Sequence, residues 1–558
     1  METFDVIVLG TGAAALVAAI RAAAGGASVG LFEKADAVGG TSAWSGGMVW
    51  IPMNPHMAEL GIEDSREEVM TYLESLSHGL IDMDLAGALI DAGPEVVTWL
   101  EQNTPVRFQI IKDFPDYHPE HPGAKPGGGR SMECPLFPYV ELGQWRDRVT
   151  VGPQLSGNIM MSETSLGRGA PRGVDPAEME RRKVRDERGA GQGLIGPLLK
   201  ACLDRGIEPR TGMRAVELLR DGRRISGVRF ETASGDQVEV GAARGVVIAT
   251  GGFEWDPELV RAFIRGPLVR SASVPTNTGD GLKMAMRVGA ALGNMREGWW
   301  VATIDVPVGG RMATWQVNGE RTRPHCVMVN RQGRRFTNEA ANYNALGAAF
   351  HVMDVSSFSY INHPAWMIFD RHYLTRYGLA GFRGEPPAPD WMTEAPSVAA
   401  LAEAIEVPAE ALEQTVVRWN EQCADGQDTD FGRGDSVHDR WWGDPAQGPG
   451  PAATLGPLDT APFYAVRVYS GVLGTKGGPR TDGNGQVLDV DGQPIPGLYA
   501  AGNAMASAMG MTYGGAGGTL GPAVVFGYLA GRHAAGVPAH SVYPTGPSGM
   551  THPLCSTA

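Results

Sequence analysis

The chain has 558 residues, 43% of them hydrophobic, and a formal net charge of −15. That length exceeds what one hydrophobic core organises, so two or more domains are expected, and the negative balance argues against a nucleic-acid or anionic-membrane surface. The cysteines Cys134, Cys202, Cys326, Cys423 and Cys555 form no CxxC pair, which reads as reduced thiols in a cytoplasmic setting, with no zinc site, iron–sulfur cluster or attached haem.

The N-terminal METFDVIVLG reads as a strand and lacks the basic start of a signal peptide. The apolar run from Thr11 to Val29 is interrupted by Arg21 and rich in Ala and Gly, so a buried helix is expected rather than a membrane span. Between strand and helix stands Gly10-Thr11-Gly12-Ala13-Ala14-Ala15, a GxGxxA turn. Gly10 permits the tight turn. Gly12 lets backbone approach a pyrophosphate at the helix N-terminus, with Ala13 and Ala14 opening that helix. The next strand, ASVGLFEK, ends in Glu33 and Lys34, and Glu33 stands where a carboxylate accepts from a ribose 2′-OH. Strand, turn, helix, strand and acid in register predict a dinucleotide site.

After Lys34 comes ADAVGGTSAWSGGMVWIP. Its Gly39, Gly40, Thr41, Ser45, Gly46 and Gly47 resemble the GG(x)3–6GG segment of the fumarate reductase and 3-ketosteroid dehydrogenase flavoproteins. The resemblance implies FAD. It also implies non-covalent attachment, because no histidine lies between Glu33 and Pro52.

Residues 62–104 carry acids first and then apolar residues at helical spacing, and predict helix. Residues 112–190, rich in Pro, Gly and charge, predict a long irregular insertion or lid. Within it, ERRKVRDER (180–188) reads as a solvated helix face. HPEH (118–121) is not a metal pair on this reading, because proline sits between its histidines. From 192 a helix and strands resume. Ala215 sits in the first of these strands, and RGVVIATGG brings Thr250 and Gly251 to the end of another. Asn277, Thr278, Gly279 and Asp280 resemble the TGDG turn of the same flavoproteins. Residues 283–455 are rich in tryptophan and read as an inserted domain. The flavin domain is expected to return over 456–537, with Gly502 and Asn503 in its AAGN fingerprint and a flexible tail from 538. The fold class that follows is α/β: a Rossmann-like FAD domain of the glutathione-reductase type carrying an inserted α+β substrate domain.

GMTYGGAGGTLGP (510–522) places Tyr513 among glycines just before a helix that starts near Thr519 and Leu520. Such a helix start presents N–H groups to a flavin. A phenol O–H and the Gly517 N–H converging beside it make an oxyanion hole. This loop and LGTKGGPRTD (473–482) resemble the 3-ketosteroid Δ1-dehydrogenases, over roughly four-fifths of the chain. The resemblance implies that Tyr513 and Gly517 polarise a ketone. It makes Tyr343, after RRFTNE, the base that removes the α-proton, and Tyr117, in DYHPE, its assistant. The family reads YPGPGG where this chain has YGGAGG, so this loop lacks two prolines. The implied activity is α,β-dehydrogenation of an apolar cyclic ketone, a steroid A-ring or a smaller ring such as cyclohexanone. An external acceptor would reoxidise the flavin: a quinone, a dye-like acceptor or O2. A fumarate-type enoate reductase is the first alternative. It needs cations to clamp carboxylates, and Met505 to Pro522 contains no Arg, Lys or His. A non-catalytic flavin carrier is the second.

Overall fold

The computed structural model describes residues 1–154, 157–168 and 173–538. The tail expected from 538, with Cys555, therefore lies almost wholly outside the described residues. The Glu2–Leu9 strand runs parallel between Val29–Phe32 and Gln237–Ile248, and Pro494–Ala500 extends the sheet beyond the latter. Both faces of these strands are covered, which suits their unbroken apolar ends (VIVL, GLF, VVI). Leu9 pairs with both Phe32 and Ile248, and Ile248 pairs with Ala500. The sheet thus ends level, and Gly10, Glu33, Ala249 and Ala501 emerge side by side at its carboxyl edge, the ligand crevice of an open α/β sheet.

The run after Gly10 forms the Ala13–Ala24 helix, buried from Ala13 to Ala22. It packs against the helix Leu520–Ala534 across a seam of small residues. A Cβ at Gly527 or Gly531 would lie 2.4 Å from the carbonyl oxygen of Ala14 or Ala18.

A second, largely antiparallel sheet is ordered Arg311–Gln316, Gly298–Val308, Phe463–Thr475, Ala365–Asp370, Cys326–Asn330. Its central strand comes from the segment expected to belong to the flavin domain. The boundary drawn at 455 therefore falls later, near Thr475. Apolar periodicity could not place it, because a strand buried on both faces reads alike in either sheet.

Residues 62–104 form two helices, Arg66–Ser77 and Met83–Asn103. They are separated at His78, whose φ is 46°. Ser65 caps the first by accepting from Glu68 N. The described part of 112–190 is more ordered than its composition predicts. Its Gly128–Glu133 strand pairs with Val49–Trp50 and Gln109–Lys112. ERRKVRDER lies partly in the helix Pro176–Val184. One of its cations is not solvated: Arg182 is buried, with Nη2 2.7 Å from Glu163 Oε1. Cys134, Cys202, Cys326 and Cys423 are free thiols. No helix among the described residues is long and apolar enough to cross a membrane.

Candidate active site

Gly10, Gly12, Ala13, Ala14, Glu33, Lys34, Gly40, Thr41, Ser45, Gly46, Gly47, Ala215, Thr250, Gly251, Asp280, Gly502, Asn503, Thr519 and Leu520 line one cleft, and so do Tyr117, Tyr343, Tyr513 and Gly517. Of the family-motif residues, Gly39, Thr278 and Gly279 do not face it.

One end of the cleft is the carboxyl edge of the first sheet. Gly10 has φ 103°, and a Cβ there would stand 2.4 Å from Ala249 O, so both conformation and space demand glycine. The helix behind it has no acid in its first turn, which leaves its free N–H groups and dipole to an anion. Glu33 accepts from Thr11 Oγ1 at 2.7 Å and Ala35 N at 3.0 Å. Burial raises its pKa in spite of these bonds. Lys34 Nζ is 2.7 Å from both Asp280 Oδ2 and Thr278 Oγ1, and Arg214 Nη2 is 2.8 Å from Asp280 Oδ1. Burial pushes the Asp280 carboxyl up, but Arg214 and Lys34 outweigh it and hold the group below its ordinary value. Thr250 Oγ1, buried in the cleft wall, has no hydrogen-bond partner. An orphaned hydroxyl, a glycine cradle and a carboxylate with spare acceptor capacity fit the polar parts of a dinucleotide.

The other end is aromatic. The rings of Tyr117, Tyr343 and Tyr513 form a near-equilateral triangle, with centroids 5.1–5.4 Å apart. Tyr117 Oη lies 3.2 Å from Tyr343 Oη. Thr519 Oγ1 donates to Tyr513 Oη at 2.9 Å, and the nearby Gly517 amide works with it against the effect of burial on that phenol. Tyr513 and Gly517 line the same end of the cleft. Gly517 has φ 97°, and a Cβ would stand 2.6 Å from the Met48 carbonyl. Only glycine fits there.

Each tyrosine is positioned by a different segment. Tyr117 follows Asp116, a buried carboxylate 2.7 Å from Arg130 Nη1 and 2.8 Å from Trp50 Nε1. Arg130 also holds Asp64 at 2.7 Å. This buried cluster fixes the turn that carries Tyr117. Tyr343 opens the helix Tyr343–Ala349, capped by Asn342, which accepts from Ala345 N. The Tyr513 loop, lacking the family's prolines, is held by its carbonyls. Lys476 Nζ donates to Thr512 O at 2.7 Å and Asn344 Nδ2 to Met511 O at 2.9 Å. Gly514 O accepts from Tyr72 Oη at 2.7 Å and from the Tyr117 amide at 3.0 Å. The last bond ties two corners of the triangle together.

Sequence reasoning missed the walls around this triangle. Trp442 stacks parallel to Tyr343 at 6.0 Å. Trp299 meets the Tyr513 edge at 4.8 Å and donates to Asn503 Oδ1 at 3.0 Å. The tryptophan-rich texture pointed to an apolar site but not to these two. Met161 and Leu166 of the 112–190 stretch also line the cleft. Lys476, in the quoted LGTKGG, was not singled out. It is fully buried 4.2 Å from the Trp299 ring centre, and burial lowers its pKa to about 7 despite Glu297.

The three phenols share one electrostatic condition. Burial pushes the Tyr117 and Tyr343 hydroxyls well above their ordinary value, and raises Tyr513 as well. His118, Glu120 and His121, where proline argued against metal ligation, nevertheless bring one ligand atom each within 4.8 Å of one another. The protein partners these histidines: His118 Nε2 is 3.1 Å from Asn342 Nδ2, and His121 Nδ1 is 3.1 Å from Ser75 Oγ.

A family model described as FAD binding domain matches residues 5–520. A 4-oxocyclohexanecarboxylate 2-dehydrogenase from Sinomonas cyclohexanicum is 41% identical over 545 residues, covering 96% of this chain and 93% of that protein. A 3-oxosteroid 1-dehydrogenase from Mycobacterium tuberculosis is 36% identical over 570 residues, covering 96% and 99%. Among solved structures, a 3-ketosteroid Δ1-dehydrogenase from Sterolibacterium denitrificans, in complex with 1,4-androstadiene-3,17-dione, superposes with a TM-score of 0.89 at 35% identity, covering 96% of this chain and 100% of that one. A flavocytochrome c3 fumarate reductase, at 24% identity and TM-score 0.64, shares the fold alone.

Proposed function

We propose, since this chain belongs to the 3-ketosteroid Δ1-dehydrogenase family of FAD-binding flavoproteins, that it desaturates an uncharged cyclic ketone between the carbons α and β to the carbonyl. The observation that carries the reading is the triangle of Tyr117, Tyr343 and Tyr513 in the wall of the same cleft as the glycine cradle.

Gly10, Gly12, Glu33, Lys34, Thr250, Asn503 and Thr519 would hold the FAD, without a covalent bond, since Gly39 to Gly47 offers no histidine. Bound FAD supplies the hydride acceptor. The protein supplies the rest. A carbon α to a ketone is a weak acid, so the developing enolate oxygen needs donors. Tyr513 O–H and Gly517 N–H provide two, each worth roughly 3–4 kcal/mol in a dry site. Tyr343, acting as a phenolate, removes the α-proton, and Tyr117, donating a hydrogen bond to it, spreads the phenolate's charge beforehand. Trp442 and Trp299 keep the triangle apolar, which strengthens each of these interactions. Among the described lining residues Lys34 is the only Lys, Arg or His, and Asp280 already takes it. A carboxylate clamp of the fumarate kind is absent from that lining, and the deep end suits a neutral ring. The free thiols support work in the cytoplasm, with a quinone, a dye-like acceptor or O2 taking the electrons afterwards.

The test is anaerobic bleaching of the yellow holoprotein by 4-androstene-3,17-dione beside cyclohexanone. Bleaching by either supports the reading, and the faster one sets the substrate size. A holoprotein that neither ketone bleaches, and that reduces an enoic carboxylate when supplied with electrons, overturns the reading.

A further inference from the structure

One buried cation has no part in the mechanism above. Lys476 directly follows the strand Phe463–Thr475 and is fully buried. Its backbone is fixed on both sides. Its N–H donates to Glu297 O at 2.9 Å, and its carbonyl accepts from Ser507 N at 3.0 Å. Among the described residues its ammonium is paired with no carboxylate; Glu297 reaches it through charge alone. The cation has two close neighbours instead. Nζ donates to Thr512 O at 2.7 Å and stands 4.2 Å from the centre of the Trp299 ring. An ammonium in a protein interior is unfavourable unless its donors are satisfied. Here a carbonyl and an aromatic face satisfy them, and both adjoin one residue, Tyr513.

Thr512 O belongs to the planar peptide unit that ends in the Tyr513 nitrogen. Holding that oxygen sets the direction from which the Tyr513 side chain leaves the backbone. The stretch has little stiffness of its own, with Gly510 before the tyrosine and Gly514 and Gly515 after it. The bonds to Met511 O and Gly514 O hold neighbouring peptide units, not this one. The second neighbour works on the ring. Trp299 meets Tyr513 edge to face, with centroids 4.8 Å apart and planes at 72°. Its Nε1 donates to Asn503 Oδ1 at 3.0 Å. Lys476, Trp299, Asn503 and Thr519 share the lining of one small cavity. Asn503 and Thr519 also line the cleft, so this layer separates the cation from it. Thr519 is the residue that donates to the Tyr513 hydroxyl.

A charged donor makes a hydrogen bond roughly twice as strong as a neutral one, and a cation is attracted to the face of a tryptophan. With no carboxylate to share it, the Lys476 charge acts on these two contacts. We infer that Lys476 is the positioning residue of the Tyr513 corner. It fixes the Thr512–Tyr513 peptide and Trp299 together, and so aims the phenol at the ketone oxygen in register with the cofactor wall. The inference rests on the proposed reaction, in which Tyr513 is a donor to that oxygen. Lys476 does not line the cleft, so it acts through Tyr513 and not on the ketone.

The experiment is a double-mutant cycle read by anaerobic stopped-flow reduction of the yellow holoenzyme, with the ketone that bleaches it faster. Lys476→Met keeps an apolar stem and removes the charged donor. In this variant the limiting rate falls about tenfold, within the range for residues that act on one another, and more ketone is needed to reach it. In Tyr513→Phe, which has no hydroxyl to aim, the same substitution changes the rate less than about twofold. Lys476→Gln, which keeps an uncharged donor, recovers part of the loss. A merely structural lysine would lower the rate by one factor in both backgrounds. That additive result overturns the inference, and so does a parental rate in flavin-loaded Lys476→Met. If Lys476→Met yields no yellow protein, Lys476→Gln carries the cycle under the same criterion. If neither holds flavin, Lys476 serves the cofactor wall and the inference is overturned. Tyr513→Phe reduced as fast as the parent brings down its donor role and this inference together. A slow Tyr513→Phe beside a parental Lys476→Met brings down the inference alone.

Discussion

The two ends of the cleft are built on opposite plans. The cofactor end is made of backbone: a glycine turn, a helix start and the level edge of a parallel sheet, with Glu33 and Lys34 the chief side chains. Its contacts come from short, continuous stretches of sequence. The substrate end is made of side chains from segments far apart in the chain: the rings of Tyr117, Tyr343 and Tyr513 lie 5.1–5.4 Å apart, and that of Trp442 lies 5.9 Å from Tyr117 and 6.0 Å from Tyr343. A binding site for a common cofactor can be a local feature. A catalytic cluster that must exclude water cannot, because no single segment surrounds a volume.

This contrast predicts how each end fails. The largest effect belongs to the aromatic end. Tyr343→Phe keeps FAD and its visible spectrum but loses roughly 10²–10⁴-fold in turnover, the usual worth of a general base; near-parental turnover would place the base elsewhere. Tyr513→Phe comes next. It removes one of two donors to the ketone oxygen, so anaerobic flavin reduction slows roughly 10²-fold and substrate binding weakens with it. Stopped-flow reduction as fast as the parent's would reduce the loop to a flavin-binding turn. The cofactor end fails in the other direction. Glu33→Ala loses a charged hydrogen bond worth roughly 1.5–3 kcal/mol, so the protein purifies largely colourless, while the fraction that keeps FAD turns over normally. Full flavin occupancy after dialysis would remove Glu33 from the ribose.

The smallest effect sharpens the comparison through stability. Tyr117, Tyr343 and Tyr513 have folded pKa values raised above those of the unfolded chain. A raised value means that the folded state binds the proton more tightly. The stabilisation is full below the unfolded value, about 10, and is lost as pH rises beyond it. Denaturation midpoints should fall on the alkaline side, and fall less in the triple Tyr→Phe protein. Equal alkaline losses in both would mean that other groups carry the effect.

The same contrast explains what could be read from the sequence. Gly10, Gly12 and Glu33 were legible because a strand, a turn and a helix follow one another without interruption, and the geometry of one peptide stretch dictates their roles. Tyr117, Tyr343 and Tyr513 were legible only through motif resemblance; nothing in their own neighbourhoods says that their rings meet. Trp442 was legible only as part of a tryptophan-rich stretch, since one tryptophan among 13 looks like another until the chain is folded. The boundary at 455 went astray for a related reason. The long apolar strand Phe463–Thr475 satisfies either sheet, and its partners, not its pattern, decide which it joins. Lys476 was passed over because a lysine in a glycine-rich run reads as exposed, whereas here Thr512 O and the Trp299 face receive it.

The seam between Ala13–Ala24 and Leu520–Ala534 bears on how the protein is made. The Ala13–Ala24 helix is synthesised long before its packing partner Leu520–Ala534. The strand before it waits too, for Gln237–Ile248. Contacts this distant in sequence close slowly, since a long loop must be ordered before they form. The cofactor site therefore comes into being only after Leu520–Ala534 has been made. Until then the nascent chain carries an alanine-rich helix in need of shelter, and in a cell the supply of chaperones and of FAD at that moment governs the yield of active protein.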